Sequence, residues 1–129
     1  MRVLLISANS EQINMLTMPL GLNVVAVASR NAGHEVQLID LLAGRDGDAA
    51  VAEAIKAFLP EVIGLSVRNI DDQSMTPPRF LLPQMRDIIH TCRCLSSAPI
   101  VLGGAGYSIF PESTLAYLAA DMGIQGEGE

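Results

Sequence analysis

Residues 60–66 read Pro-Glu-Val-Ile-Gly-Leu-Ser, a helix terminator followed by a buried strand and a polar edge. The centre, residues 62–65, is a short apolar run without the polar alternation of a strand that has one face in water. Strands buried on both faces of a parallel sheet have this pattern. Pro60 closes the segment before it, because proline cannot continue a helix.

The same alternation extends in both directions along the chain. Comparable apolar runs occupy residues 3–6, 36–39 and 100–102. Apolar residues at helical spacing follow the successive strands: Leu20, Val24, Val27 and Ala28; Val51, Ile55, Phe58 and Leu59; Phe80, Met85, Ile88, Ile89 and Cys92; Leu115, Leu118, Ala119 and Met122. The order β-α-β-α-β-α-β-α predicts an α/β fold, a doubly wound parallel sheet of the flavodoxin-like (Rossmann-like) three-layer αβα class, with a partial fifth strand at residues 122–125.

Capping and breaking residues support these boundaries. Proline suits the first turn of a helix, and the candidates are Pro19, Pro83 and Pro111. Gly33 suits the position just past the first helix, and Asp46 or Asp48 can cap the second.

Composition limits the possible functions. The 129 residues include 14 acidic and 8 basic side chains, so clustered cations that would neutralise nucleic-acid phosphates are scarce. The chain has no apolar stretch of the ~20 residues that a membrane helix needs, and its amino terminus lacks a signal peptide. Two cysteines are too few for a disulfide framework. We therefore expect one cytoplasmic domain over residues 1–129, without nucleic-acid or membrane partners.

The loops after the strands are where a ligand of such a sheet binds. Residues 7–18 and 66–76 form connections longer than the usual ~2–6 residues. After the fourth strand, residues 103–106 read Gly-Gly-Ala-Gly, which lets the backbone approach a ligand closely. Together they predict a broad, mostly uncharged crevice.

Other ligand sites of similar folds fit this crevice less well. A phosphoacceptor site needs an aspartate where Ser66 ends the third strand. A dinucleotide motif G-x-G-x-x-G would follow the first strand, but the glycines follow the fourth and Ile109 takes the third place. Ser7, Asn9 and Ser10 could form a phosphate loop. A flavin- or small-ligand-binding flavodoxin-like module therefore remains the alternative.

Reactive side chains give no catalytic constellation, and no catalytic or metal-ligating residue is predicted. His34 enters the second strand at the edge opposite the crevice, and His90 lies within the third helix. Cys92 continues an apolar helical face, and Cys94 has no evident activating partner. The loop residues Met15, Met18 and Met75 suit either core packing or an adaptable apolar wall.

Arg68 is a cation at the end of a central strand, where a charge needs a partner or a ligand. The alternatives are a salt bridge to Asp71 or Asp72 and a ligand-facing role. The position of the loop above the crevice favours the ligand.

These residues resemble the amino-terminal cobalamin-binding domain of B12-dependent radical SAM enzymes. The resemblance covers nearly the whole chain. It is carried by residues 3–6, 19–22, 32–36 with Asp40, 60–66, 99–104, 111–112 and the closing Gly-Glu-Gly-Glu of residues 126–129.

The resemblance implies where a corrinoid binds. In the family the corrin ring lies over the carboxyl ends of the strands, and its nucleotide tail enters a groove between sheet and helices. By resemblance the tail groove comprises Ser66, Gly103, Gly104, Ala105, Gly126, Glu127 and Gly128. The surface beneath the corrin ring comprises Ala8, Asn9, Val67, Arg68 and Asn69.

Two departures refine the expectation. Related B12 domains carry Asp-x-His-x-x-Gly after the first strand, whose histidine binds cobalt, whereas residues 7–18 contain no histidine. The cofactor is therefore expected base-off and without a histidine ligand. The three-cysteine motif of the family's iron–sulfur cluster is also absent.

The resemblance therefore implies a domain cut from a longer enzyme. S-adenosylmethionine and the [4Fe-4S] cluster belong to a radical SAM barrel elsewhere in that parent chain. The family's reactions include methyl transfer and the cyclisation of a magnesium-protoporphyrin ester, and these residues do not select one.

Overall fold

The computed structural model describes residues 1–10, 17–43 and 46–128. Its centre is a five-stranded sheet with the order β2-β1-β3-β4-β5 and parallel pairing throughout. The strands are β1 Arg2–Ser7, β2 Glu35–Asp40, β3 Val62–Ser66, β4 Ile100–Gly103 and β5 Met122–Gly123. The predicted doubly wound fold is confirmed.

Helices connect the strands on both faces of the sheet. They are α1 Leu20–Asn31, α2 Gly47–Phe58, α3 Leu82–Leu95, α4 Ala105–Ile109 and α5 Pro111–Leu118, with a short 3-10 turn at Leu41–Ala43. Because successive strand residues point to opposite faces of the sheet, each strand has side chains in both of the spaces between the sheet and its helices.

One face of the sheet is filled. Its strand residues pack against α2, α3 and α5 in a single apolar cluster that includes Leu4, Ile6, Ile63, Ile100, Val51, Met85 and Leu118. Each fully buried aliphatic side chain of this kind contributes about 1.5–3 kcal/mol. This cluster is the main core of the protein.

The other face is covered incompletely. Val3 and Leu5 pack with Ala26 of α1 in a much smaller cluster. Val62 and Val101 on the same face stay only half-buried, although both belong to inner strands. An open space therefore remains between α1 and the middle of the sheet.

The predicted helix boundaries have the expected physical causes. The Asp46 side chain accepts a hydrogen bond from the Ala49 amide, which caps α2. Pro83 and Pro111 lie in the first turns of α3 and α5. Gly33 has φ 87°, a conformation that suits glycine just beyond α1.

Several element predictions were wrong in detail. The last helix ends at Leu118, because Ala119 adopts φ 53°, and Met122 belongs to β5 instead of the helix. The fifth strand covers only two residues. Phe80 precedes α3, forms an isolated bridge with Asp71 and is exposed. The short helix α4 was not predicted.

The apolar spacing of α1 identified a face that does not enter the core. Leu20, Val24 and Val27 are 69%, 42% and 53% exposed, whereas Ala26 is buried. Leu20 and Val24 border the open space beside the sheet. An apolar stripe that meets a cavity gives the same periodicity as one that meets the core.

Asp121 links helix α3 to the first residue of strand β4. Its Oδ2 accepts hydrogen bonds from the Ile100 amide at 2.6 Å and from Arg93 Nη2 at 2.8 Å. The Ile100 amide, followed by Arg93, lowers the pKa of Asp121 below its ordinary value of 3.8. The carboxylate therefore stabilises the fold in its charged form.

We expect Asp121→Asn to destabilise the domain by about 0.5–1 kcal/mol at pH 7, a modest value because the Asp121 side chain is 41% exposed. A lowered pKa gives stability that is present above pH 3.8 and is lost as pH falls through the folded-state pKa. Urea unfolding should therefore show a difference between the two proteins that narrows toward pH 3. Asp87→Asn on the exposed side of α3 is the control, and a difference independent of pH would contradict the assignment.

Candidate functional site

The open space beside α1 is a cleft of about 1110 Å³. We call it the sheet cleft. Its walls are α1, the same face of β1, β3 and β4, and the segment 124–128. Ligand pockets commonly measure roughly 300–1,000 Å³, so the sheet cleft has room for a large ligand.

Glycines keep the floor of the sheet cleft low. Gly64 lies in the middle of β3, where a Cβ would lie 2.7 Å from Leu5 Cδ2. Gly103 ends β4, and a Cβ there would have the Ile124 carbonyl oxygen 3.9 Å away as its nearest neighbour. A ligand can therefore approach the sheet backbone at Gly103, whereas the Leu5 side chain partly covers Gly64.

Gly104 occupies a tightly packed turn at the carboxyl edge of the sheet. Its φ is 98°, and a Cβ would lie 2.7 Å from the Val67 carbonyl oxygen and 3.0 Å from Ser66 Oγ. The Val67 carbonyl is fixed because it accepts a hydrogen bond from the Gly106 amide at 2.9 Å. Both the backbone conformation and the space require glycine.

The rim of the sheet cleft exposes apolar side chains. Met18, Leu20 and Ile124 are 72%, 69% and 46% exposed, and all three line the cleft. Exposed apolar groups gathered around one concavity indicate a surface that a ligand or partner covers.

Polar side chains gather at the carboxyl ends of the strands. Ser7 and Asn9 are buried there, beside Ser66 and Arg68. The Arg68 guanidinium donates a hydrogen bond to Thr17 Oγ1, and both residues line the cleft. This end of the cleft therefore offers hydroxyl and amide groups and one cation.

The loop after β3 is ordered by its own aspartates, so they do not pair with Arg68. Asp71 accepts a hydrogen bond from the Gln73 amide. Asp72 accepts from the amides of Arg79 and Ser74, which lower the pKa of Asp72. Among the described residues, Arg68 forms a hydrogen bond with Thr17 and with neither aspartate, and Arg68 lines the cleft.

The segment after β5 is tied to the glycine turn. Gly126 has φ 85°, and its amide donates to Ser108 Oγ at 3.0 Å. Ser108 Oγ in turn donates to the Gly104 carbonyl at 3.0 Å. A Cβ on Gly128 would lie 3.6 Å from Val25 Cγ2 of α1, so the segment crosses toward the helix.

The structure brings most of the predicted site residues together. Nine of them line the sheet cleft: Asn9, Ser66, Arg68, Gly103, Gly104, Ala105, Gly126, Glu127 and Gly128. The side chains of Ala8 and Val67 instead lie in the main core, and neither residue lines the cleft. Asn69 is half-buried and is not part of the cleft lining.

The sequence did not predict that α1 and the residues just before it would line the sheet cleft. Thr17, Val25 and Ser29 line the sheet cleft, as does Gly64 of β3. A glycine inside an apolar strand run signals a close approach, and this could have identified Gly64. Met18 forms an apolar wall, Met75 is exposed elsewhere, and Met15 lies outside the described residues.

The histidines and cysteines lie apart from the cleft. His34 precedes β2 at the amino edge, and His90 belongs to α3 on the filled face. Cys94 Sγ lies 3.6 Å from His90 Nε2, a neighbour that the sequence did not reveal. Burial raises the pKa of the Cys92 thiol to about 11, so this side chain is an inert part of the core.

The described ranges contain neither a metal-binding cluster nor a membrane-spanning helix. Residues 1–10, 17–43 and 46–128 contain no cluster of three or more His, Cys, Asp or Glu side chains able to hold a metal ion. The helices in these same ranges are all too short or too polar to cross a membrane.

The family of the chain follows from its similarity to known proteins. Residues 6–129 match the family model described as the B12 binding domain. The chain belongs to the B12-binding domain family. Its sheet cleft is thus a feature of a B12-binding domain, and the resemblance proposed from the sequence is confirmed.

Relatives of this B12-binding domain are methyltransferases. Tryptophan 2-C-methyltransferase of Streptomyces laurentii is 29% identical over 122 residues, which cover 94% of this chain and 20% of that protein. The radical S-adenosylmethionine methyltransferase TsrM of Kitasatospora setae, solved with cobalamin and a [4Fe-4S] cluster, is 32% identical with a TM-score of 0.91. That match covers 99% of this chain and 22% of TsrM. The chain thus spans about a fifth of the length of these relatives.

Other comparisons bear on the fold alone. The receiver domain of the response regulator TorR has a TM-score of 0.57 at 14% identity. Receiver domains share the flavodoxin-like fold, but the family match decides the ligand class. The interpretation as a cobalamin-binding module is therefore supported over the flavin-binding alternative.

Proposed function

We propose that the sheet cleft holds the nucleotide tail of a base-off corrinoid and that the corrin ring covers the carboxyl ends of the strands. The observation that carries this proposal is the half-covered sheet face, where Gly103 leaves the backbone accessible and apolar side chains rim the opening. Proteins rarely expose apolar surface of this kind unless a ligand or partner covers it.

The residues fit a corrinoid at both ends of the cleft. The tail groove comprises Ser66, Gly103, Gly104, Ala105 and residues 126–128, and Gly104 packs directly against the Val67 carbonyl at its carboxyl end. The surface beneath the ring comprises Asn9 and Arg68, the backbone of Ala8 and Val67, and Asn69. Amide and hydroxyl groups at this edge can bind the polar substituents of the ring.

The whole protein is proposed to be a radical SAM methyltransferase. When bound, cobalamin supplies a cobalt centre that carries the methyl group. S-adenosylmethionine and the [4Fe-4S] cluster would be bound by a barrel in the same parent chain, which is supported by relatives about five times as long as this domain. A reducing cytoplasmic location is part of the proposal, supported by the free thiols of Cys92 and Cys94.

Titration with hydroxocobalamin, followed by absorbance and calorimetry, tests the function. We expect saturable binding with one corrinoid per chain, weaker than in the complete enzyme because the barrel is absent. Flavin mononucleotide is the parallel titration. Binding of the flavin without any binding of the corrinoid would overturn the proposal.

The second part of the proposal concerns the lower face of cobalt. Residues 7–18 contain no histidine, His34 precedes β2 at the amino edge, and His90 lies on the opposite face of the sheet. Arg68 stands at the carboxyl edge, and a guanidinium occupies space without serving as a ligand. We therefore infer that no histidine of this domain binds cobalt.

Electron paramagnetic resonance of bound cob(II)alamin checks this inference. A coordinated nitrogen splits each cobalt hyperfine line into a triplet, and we expect single lines. Triplets that disappear in His34→Ala or His90→Ala would identify a histidine ligand and contradict the inference. Triplets that persist in both variants would show that the cofactor's own base is bound, which contradicts the base-off state.

A further inference from the structure

The segment after β5 is held by few contacts. Residues 124–128 belong to no helix or strand and are exposed, although most of them also line the sheet cleft. The Ile124 amide donates to the Leu102 carbonyl at 2.8 Å and continues the pairing with β4. Beyond Ile124, the described part of the chain gives this segment one hydrogen bond, from the Gly126 amide to Ser108 Oγ. One wall of the cleft therefore depends on a single polar contact.

The Ser108 hydroxyl links this segment to the glycine turn. It donates to the Gly104 carbonyl at 3.0 Å and accepts from the Gly126 amide at 3.0 Å. A serine hydroxyl has one proton and two acceptor lone pairs, so it can form both bonds at once. A helical serine commonly bonds to the carbonyl four residues before it, but the bond from Gly126 joins residues 18 apart in sequence. Ser108 therefore connects two parts of the cleft lining.

The two ends of this link differ in how firmly they are held. At the turn, the Gly104 carbonyl also accepts a hydrogen bond from the Ser108 amide at 3.1 Å, and the turn packs against Val67. At the other end, a Cβ on Gly126 would meet no atom within 4 Å, so Gly126 is loosely packed. Glycine loses more backbone entropy on ordering than any other residue, and both Gly126 and Gly128 must be ordered. The bond to Ser108 offsets part of this cost.

We propose that Ser108 is a positioning residue that holds residues 126–128 in the conformation that binds the nucleotide tail, an inference that rests on the proposed function. Ser108 acts through Gly126 and not by a contact with the corrinoid. A segment that is already ordered in the ligand-free domain costs the ligand no ordering entropy, whereas a disordered one lowers the affinity. The Ser108 hydroxyl therefore increases corrinoid affinity without itself binding the tail.

Substitutions at position 108 test the hydroxyl. Ser108→Ala removes the donor and the acceptor, and the dissociation constant for hydroxocobalamin should rise about threefold to tenfold, the range of one neutral hydrogen bond. Ser108→Thr keeps the hydroxyl, and Ser108→Val has the shape of threonine without it. We expect the threonine variant to bind several-fold more tightly than the valine variant. Equal dissociation constants for these two folded variants would overturn the inference.

Hydrogen–deuterium exchange separates positioning from direct contact. In the ligand-free domain, peptides that contain residues 124–128 should exchange faster in Ser108→Ala than in the wild type. Saturating hydroxocobalamin should reduce this difference, because the bound tail then holds the segment. Ser96→Ala is the matched control, since Ser96 Oγ accepts from the Ala98 amide at 3.1 Å at the amino edge, away from the cleft. We expect this control to change neither the exchange of the segment nor the affinity.

The combination of exchange and affinity decides between the roles of Ser108. A raised dissociation constant with unchanged exchange would overturn the inference, because Ser108 would then contact the corrinoid directly. Faster exchange with an unchanged dissociation constant would also overturn it, because the segment would not contribute to binding. Failure of the wild type to bind hydroxocobalamin would overturn the proposed function, while exchange in the ligand-free domain would still decide whether Ser108 holds the segment. Circular dichroism verifies that each variant is folded.

Discussion

Replacing Gly104 by alanine is expected to weaken hydroxocobalamin binding by about tenfold to a hundredfold while the domain stays folded. The added Cβ would lie 2.7 Å from the Val67 carbonyl oxygen and 3.0 Å from Ser66 Oγ. Because the Val67 carbonyl holds the Gly106 amide, the turn relieves the clash only by moving this part of the tail groove. Titration of the purified variant gives the affinity, and circular dichroism and urea unfolding give its folded state.

A second glycine with positive φ serves as a control for the substitution itself. Gly33 has φ 87°, close to the 98° of Gly104, but a Cβ there meets no atom within 4 Å. Gly33→Ala therefore adds a positive-φ cost of order 1 kcal/mol without a clash at the far end of α1, whereas Gly104, with ψ 170°, lies in a region that glycine alone readily adopts. We expect its affinity for hydroxocobalamin to be that of the wild type. If Gly104→Ala also retained full affinity, Gly104 would not belong to the site.

Two consecutive residues of β4 should separate stability from binding. Ile100 is 1% exposed within the main core, and we expect Ile100→Ala to cost about 2–5 kcal/mol of unfolding free energy. Val101 faces the sheet cleft and is half-buried, so Val101→Ala should cost about 1 kcal/mol or less. The order should be reversed for corrinoid affinity: Val101→Ala should weaken binding and Ile100→Ala should not, because only Val101 lines the cleft.

Urea unfolding and hydroxocobalamin titration on the same two variants check this prediction. Where Ile100→Ala remains folded, its affinity should match the wild type, whereas Val101→Ala should bind several-fold more weakly. Equal losses of stability in the two variants would mean that the cleft face is packed in solution. A loss of affinity only in Ile100→Ala would place the ligand on the other face of the sheet.

Most of the fold follows from local patterns. The runs at residues 3–6, 36–39, 62–65 and 100–102 are all strands of the parallel sheet, as continuous apolar sequence predicts, although residues 36–39 on the edge strand β2 are only half-buried. Capping residues such as Asp46 and Pro111 act within one turn of a helix, so the sequence reveals them directly. The five-residue helix α4 was missed because one turn shows no periodicity.

The candidate site was predicted where it depends on the strand ends and missed where it depends on packing. The rule that ligands bind beyond the carboxyl ends of strands located Ser66, Gly103 and Gly104. The position of α1 relative to the sheet decides whether Leu20 and Val24 face a core or a cleft, and spacing along the helix is identical in both cases. Ala8 and Val67 are the opposite case. Their positions in the sequence, just after strands, predicted a ligand surface, but their side chains pack in the main core.

A crystal structure of the domain with hydroxocobalamin would locate the nucleotide tail and the corrin ring independently of each other. We expect the nucleotide tail between α1 and the sheet, beside Gly64 and Gly103, and the corrin ring at the carboxyl edge near Arg68. A corrinoid bound against α2 and α3, or one whose tail stays outside the sheet cleft, would contradict this expectation.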